Sequence, residues 1–417
     1  MSQSEFKIKE EAYDHLSGTV YRWKVLTATF LAYFYDSFDL VILAIAMPVL
    51  IKILGITLPE GGLLASSTMI GAALGSILIG LLAENWGRKK AIMLSLSLFG
   101  IGTGCVYFIE TWGQWMILRF LTGVAIGGAW GPCVALISMH WSPRYRSRAG
   151  AFMLSTFALG AIAASFVGRL VLSVDWRLMF LVGATAVFVP LYVWWAVPDD
   201  GPESSKKKST SVEVKEKVTL GSILVGETGR RLVMATLLNV FIMAGVWGAL
   251  TWIPTFLVKE RGLSLVMMAN FSVFMYIGMF IGYQCHGYLG DRYGRKKSIM
   301  IGFLVCVISI PVYIIVQNGT FLFWWGMVVG YGYGGPLGVV GAYYAELFPE
   351  NIRALTGGFC FNVGRIGAVV APFTVGVLGK MYGLNVGLIV ASCMSLIGIF
   401  VLMFLPETGA NLLKSEK

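Results

Sequence analysis

Gly80-Leu81-Leu82-Ala83-Glu84-Asn85-Trp86-Gly87-Arg88-Lys89-Lys90 and Gly287-Tyr288-Leu289-Gly290-Asp291-Arg292-Tyr293-Gly294-Arg295-Lys296-Lys297 are two copies of one pattern, 207 residues apart. Each copy follows a long apolar stretch and sets a carboxylate and a knot of cations just beyond it. Other features keep the spacing: Gly127-Gly128 maps onto Gly334-Gly335, and Val197-Pro198-Asp199 resembles Leu405-Pro406-Glu407. The chain is therefore read as a duplication.

What lies between the copies decides the class. The 417 residues are 57% hydrophobic, far more apolar surface than one water-soluble core of this length buries, so the surplus must face lipid. Twelve apolar stretches, from 24–52 to 383–405, are each long enough to cross roughly 30 Å of hydrocarbon as a helix. The first is read as a retained helix, because it lacks a short apolar core with a small-residue cleavage site. The expected fold is an all-α membrane protein.

A net charge of +10 would suggest nucleic acid in a soluble protein. Here 24 of the 32 Lys and Arg fall on one side of the twelve spans, 6 on the other and 2 within them. That asymmetry excludes nucleic acid as a partner and places both termini in the cytoplasm, with a bacterial inner membrane as the simplest location. The six cysteines all fall within spans, form no CxxC pair and find no His spaced for a metal, so they are read as packing residues.

The longest break between spans, 199–230, holds Lys206-Lys207-Lys208 and a mixed-charge run, and reads as a cytoplasmic linker. It divides the chain into six-helix bundles at 1–198 and 231–417. Parallel repeats of this kind place a solute site at the membrane midplane between the halves.

The doubled loop resembles the Gly-x-x-x-Asp-Arg-x-Gly-Arg-Lys signature of the major facilitator superfamily. Supporting the resemblance are Arg119-Phe120-Leu121-Thr122-Gly123, Pro143-Arg144-Tyr145-Arg146-Ser147-Arg148, Trp176-Arg177 and Pro406-Glu407-Thr408. It implies twelve helices in two pseudo-symmetric bundles and a monomeric carrier that works by alternating access without a cofactor. A carboxylate at one helix end and guanidinium groups on the adjoining loop can clamp neighbouring helices. Asp291, Arg295, Arg353 and Glu346 are the expected latch of the second half. In the first half Glu84 replaces the usual Asp and Asn85 the usual cation, leaving Glu84 to reach Arg88, Arg146 or Arg148.

Four charges stand inside spans, where each costs roughly 2.5–3.5 kcal/mol: Asp36, Asp39, Arg119 and Arg365. Asp36 lies about 18 Å up its helix from Lys24, near the midplane. Asp39 shares its face about one turn on, and Arg119 of the fourth span can reach either. An acid on the first helix and an Arg on the fourth resemble the proton-carrying positions of proton-coupled family members. Tyr35-Asp36-Ser37-Phe38-Asp39-Leu40 resembles the motif of aromatic acid:proton symporters and their sialate and metabolite relatives, with Ser37 in place of Gly. The alternative is a static ion pair joining helices one and four.

Arg365, with Asn362 on the same face, is the expected contact for a substrate carboxylate; a buried pair with Asp36 or Asp39 is the other reading. Tyr33, Tyr35, Phe38, Asn239, Trp247, Trp252, Tyr331 and Tyr333 complete an expected wall. The reading is proton-coupled symport of a small organic acid, with a proton-coupled sugar or polyol symporter or a drug:proton antiporter as alternatives. A sensor lacks an output domain, and an enzyme lacks any constellation of nucleophile, base and oxyanion donors.

Overall fold

The structure, a computed structural model, describes residues 19–141, 143–199, 226–349 and 352–409, except the side chains of residues 19, 20, 143–148, 151 and 354. Among the described residues every regular element is helical. In chain order these are α1 (Thr19–Leu54), α2 (Leu58–Trp86), α3 (Arg88–Cys105), α4 (Trp112–His140) and α5 (Pro143–Val171). Next, α6 is Arg177–Ala184 continued through a 3-10 turn at Thr185–Phe188 into Val189–Ala196. The second series is α7 (Gly226–Lys259), α8 (Leu265–Tyr293), α9 (Arg295–Ile315) and α10 (Gly319–Leu347). It ends with α11, made of Arg353–Gly364 and Ile366–Tyr382 meeting at Arg365, and α12 (Leu384–Met403).

Eleven of these are apolar and long enough to cross a membrane by hydropathy. The twelfth, α10, is as long as α8 but rich in Gly and Tyr, which lower its mean hydropathy while allowing tight packing. Helices overrun the predicted spans because the loop cations are themselves helical: α3 opens on Arg88 and α9 on Arg295. The residue before each is a glycine with positive φ, 97° at Gly87 and 111° at Gly294, so the duplicated motif turns the chain in the same way twice. The segment 200–225, most of the expected linker, lies outside the described residues.

The duplication is also a packing rule. A Cβ on Gly71 would strike the carbonyl of Phe120, and one on Gly278 that of Met327; Gly75 meets Val124 and Gly282 meets Tyr331 in the same manner. From the other side Gly127 lies on Ala72, and Gly334 on Met279. Each of these pairs recurs 207 residues on. Glycines thus seat α2 on α4 and α8 on α10 with backbones in contact, the arrangement small residues permit in lipid.

The described residues form two compact units, one within 19–40, 70–160 and 177–199, the other within 41–69, 161–176 and 226–409. The first has an apolar core that includes Val25, Phe99, Leu136, Met153 and Val193. In the second, α11 runs beside the start of α2. The Ser66 hydroxyl donates to the Val369 carbonyl at 2.5 Å, Gly62 leaves no room for a Cβ beneath Pro372, and Trp252 Nε1 donates to the Pro372 carbonyl at 2.8 Å.

Candidate functional site

Within the first unit, α1, α3 and α4 bring Asp39, Thr103 and Arg119 together. Arg119 sits two turns into α4, whose start is fixed by a capping box between Thr111 and Gln114. Its Nη1 donates to Asp39 Oδ2 at 2.8 Å and its Nη2 to Asp39 Oδ1 at 3.2 Å. The Thr103 hydroxyl donates to the same Oδ1 at 3.0 Å. Both charged side chains are 0% exposed. The guanidinium also lies 5.6 Å from the centre of the Phe180 ring, against which Trp115 packs edge-on. Trp115 is fully buried there.

A buried ion pair is tolerable only when its remaining polar positions are met. Two fork contacts and a hydroxyl do this for Asp39. Asp36, the other candidate acid, is half-buried one turn earlier on α1, beside Cys133 of α4. Its surroundings are aromatic: Tyr35 bonds Thr185 across a 2.9 Å hydroxyl contact, and Phe38 stacks on Phe34 and meets Tyr35 at a tilt, both with centroids 6.4 Å away. Phe38 is itself buried.

Arg365 and Asn362 occupy the joint of α11. Arg365 is half-buried over the Phe361 ring at 5.4 Å, and Asn362 Nδ2 donates to the Gly358 carbonyl at 3.0 Å. Asn239 lies at the same level of α7 but is fully buried. It donates to the Phe361 carbonyl at 3.2 Å and accepts from Tyr344 at 3.3 Å, filling the notch at Gly364. Trp247 and Tyr331 are half-buried, whereas Tyr333 and Trp252 are buried in packing. His286 is fully buried in the notch of Gly335, as Ile79 fills that of Gly128 one repeat earlier.

At the loop end of the second unit, Arg295 bridges Asp291 at 2.5 Å and Glu346 at 3.2 Å. Arg353 is exposed, and in the first unit Glu84 is exposed and Arg88 half-buried. The side chains of Arg146 and Arg148 lie outside the described ones. Glu407 completes the α8–α9 loop in a way the sequence did not disclose. Its carboxylate accepts from the backbone N–H groups of Lys296 at 2.7 Å and Lys297 at 3.2 Å, capping the positive end of α9. Arg295 N–H donates to the Thr408 carbonyl at 2.9 Å, and Lys296 Nζ to that of Leu405 at 2.7 Å.

The family model described as Major Facilitator Superfamily matches residues 29–286 and 267–417. The chain belongs to this family. Its helical fold resembles that of a solved D-xylose-proton symporter with a TM-score of 0.78 and 17% identity, over 94% of this chain and 99% of the other. It is 30% identical to a provisionally named metabolite transport protein of Haemophilus influenzae over 93% of this chain and 97% of that one. It is 26% identical to the cis,cis-muconate transport protein of Acinetobacter baylyi over 92% and 95% of the respective chains. This major facilitator is a multi-pass membrane transporter and not an enzyme. Among its described residues no cluster of three or more His, Cys, Asp or Glu could hold a metal ion. Thr103 was not foreseen as a partner of Asp39, since a lone threonine in an apolar helix carries no signal of its own.

Proposed function

We propose that this transporter moves a small organic acid together with a proton, by alternating access, as a monomer of a bacterial inner membrane with both termini in the cytoplasm. The observation that carries the reading is the fully buried Asp39–Arg119 pair with the half-buried Asp36 one helical turn away. The pair fixes one charge of each sign, and every strong contact of Asp39 is taken. Asp36 is the less buried of the two acids, and we assign it the uptake and release of the proton; doing so beside a second carboxylate changes the local charge that the pair must balance.

Arg365 at the joint of α11 takes the carboxylate of the solute, the bidentate contact for which a guanidinium is suited. Support for an acid as cargo comes from the relative named for cis,cis-muconate, a dicarboxylate. Asp291, Arg295 and Glu346 form the latch at the cytoplasmic end, and the Ser66–Val369 contact closes the opposite end. The six-helix divisions at 1–198 and 231–417, joined by 199–230, are the rigid parts of the cycle.

The test is external pH in lightly buffered cells given cis,cis-muconate, other carboxylic acids or D-xylose. Alkalinisation with an acid, absent from Asp36→Asn, is expected. Uptake without proton movement, or a response to D-xylose alone, would overturn the assignment.

A further inference from the structure

The start of α7 and the end of α12 enclose a cavity of about 280 Å³ lined by Glu227, Arg230, Arg231, Phe404, Leu405 and Pro406. The transport reading makes no use of it. Arg231 is paired with Glu227 on its own helix and reaches toward the Leu347 carbonyl at 3.5 Å. The nearby Lys296 is spent on the Met403 and Leu405 carbonyls, and Glu407 on the start of α9. What remains is Arg230, exposed and in no ion pair among the described residues. The cavity therefore carries one uncompensated positive charge.

The helix face below Arg230 is apolar and leads away from it. On α7, Val233 and Leu237 are exposed at helical spacing from Arg230, and the same face continues to Val240 and Ala244. At the end of α12, Phe404 and Phe400 are exposed, and Met394 lies further along the same helix. Val240, Ala244 and Met394 belong to a second cavity of about 260 Å³, walled by α11 through Ile366 and Val370 and almost wholly apolar. Ten residues of helix separate Arg230 from Val240, about 15 Å, which is the depth of one leaflet of a roughly 30 Å hydrocarbon layer. A charged pocket at the membrane surface and an apolar groove ending at mid-membrane are the two parts of a phospholipid site.

We propose that a phospholipid of net charge −1 occupies this groove, its phosphodiester on Arg230 and one acyl chain along α7 between α11 and α12. A single negative charge matches the single uncompensated cation, and a zwitterionic lipid does not. On the positive-inside orientation the site opens in the cytoplasmic leaflet, where anionic lipid and basic side chains attract.

The protein, purified in mild detergent, is mixed with equimolar phosphatidylglycerol and phosphatidylcholine, and retained lipid is read by native mass spectrometry. Wild type is expected to keep phosphatidylglycerol preferentially, and Arg230→Ala to lose about fivefold in retention, the worth of one cation near an anionic surface. Lys380→Ala, which removes an exposed cation elsewhere, serves as the control and is expected to retain it. Val240→Trp, filling the groove while leaving the charge, is expected to weaken retention as well. Equal retention in Arg230→Ala and wild type overturns the proposal. So does displacement of the lipid by millimolar inorganic phosphate with Val240→Trp unaffected, which would mark a site for a soluble anion. Neither result bears on proton-coupled uptake, which is tested separately.

Discussion

Replacing Arg119 by leucine strands a carboxylate. Asp39 would lose contacts of 2.8 and 3.2 Å and keep only the Thr103 hydroxyl at 3.0 Å, in a place with no exposure to solvent. Removing one member of a buried pair costs about 3–5 kcal/mol, because the other charge stays behind without compensation. Removing both, in Asp39→Leu/Arg119→Leu, takes away the attraction and the desolvation cost together and is expected to be close to neutral, apart from about 1 kcal/mol for the orphaned Thr103 hydroxyl. With single losses of about 3–5 kcal/mol each and about 1 kcal/mol for the double, the two substitutions couple by at least about 5 kcal/mol. Thermal unfolding of wild type, both single variants and the double variant in one detergent measures this directly. Both singles should melt well below wild type and the double should recover most of the loss, while uptake stays absent in all three. A single Arg119→Leu variant as stable as wild type would refute the pairing, and a double variant no better than the worse single would refute the argument that the singles fail through an uncompensated charge.

Three further outcomes follow from particular contacts. Asn239→Ala removes the bonds that the buried amide makes to the Phe361 carbonyl and the Tyr344 hydroxyl and should cost about 1–3 kcal/mol in thermal unfolding while leaving the KM for solute unchanged, since the amide is consumed in packing α7 on α11. Glu407→Gln keeps the shape but removes the charge at the start of α9; a loss of about 1 kcal/mol is expected at low salt, shrinking in 1 M salt as measured by Tm. Gly62→Val would drive a side chain into Pro372, so α2 must draw back from α11; a cysteine at Val369 should then react faster with a water-soluble thiol reagent than it does with Gly62 intact.

Periodicity and duplication made the fold legible, because lipid is crossed by helices or closed barrels and an apolar run of about twenty residues fits a helix, which leaves a long signal for each span. Even the contacts between helices were latent in the sequence. Gly71, Gly75 and Gly127 and their counterparts 207 residues on are small for the same reason, that a neighbouring carbonyl occupies the place of a Cβ. The site was legible only in part. Asp39 and Arg119 announced themselves because charge inside a membrane is costly and demands a partner, yet spacing along one helix left Asp36 and Asp39 equally eligible. Deciding between them takes the rotation of α4 against α1, fixed by packing around Phe180 and Thr103 on two other helices. Glu407 was hidden for a related reason. A carboxylate that caps a helix more than a hundred residues earlier leaves no local pattern, and the glutamate looks like the end of a motif until α9 is seen to begin on it. Asn239 shows the opposite error: a polar residue in an apolar helix resembles a solute contact, but a buried amide can be satisfied equally by two neighbouring helices, and here it is.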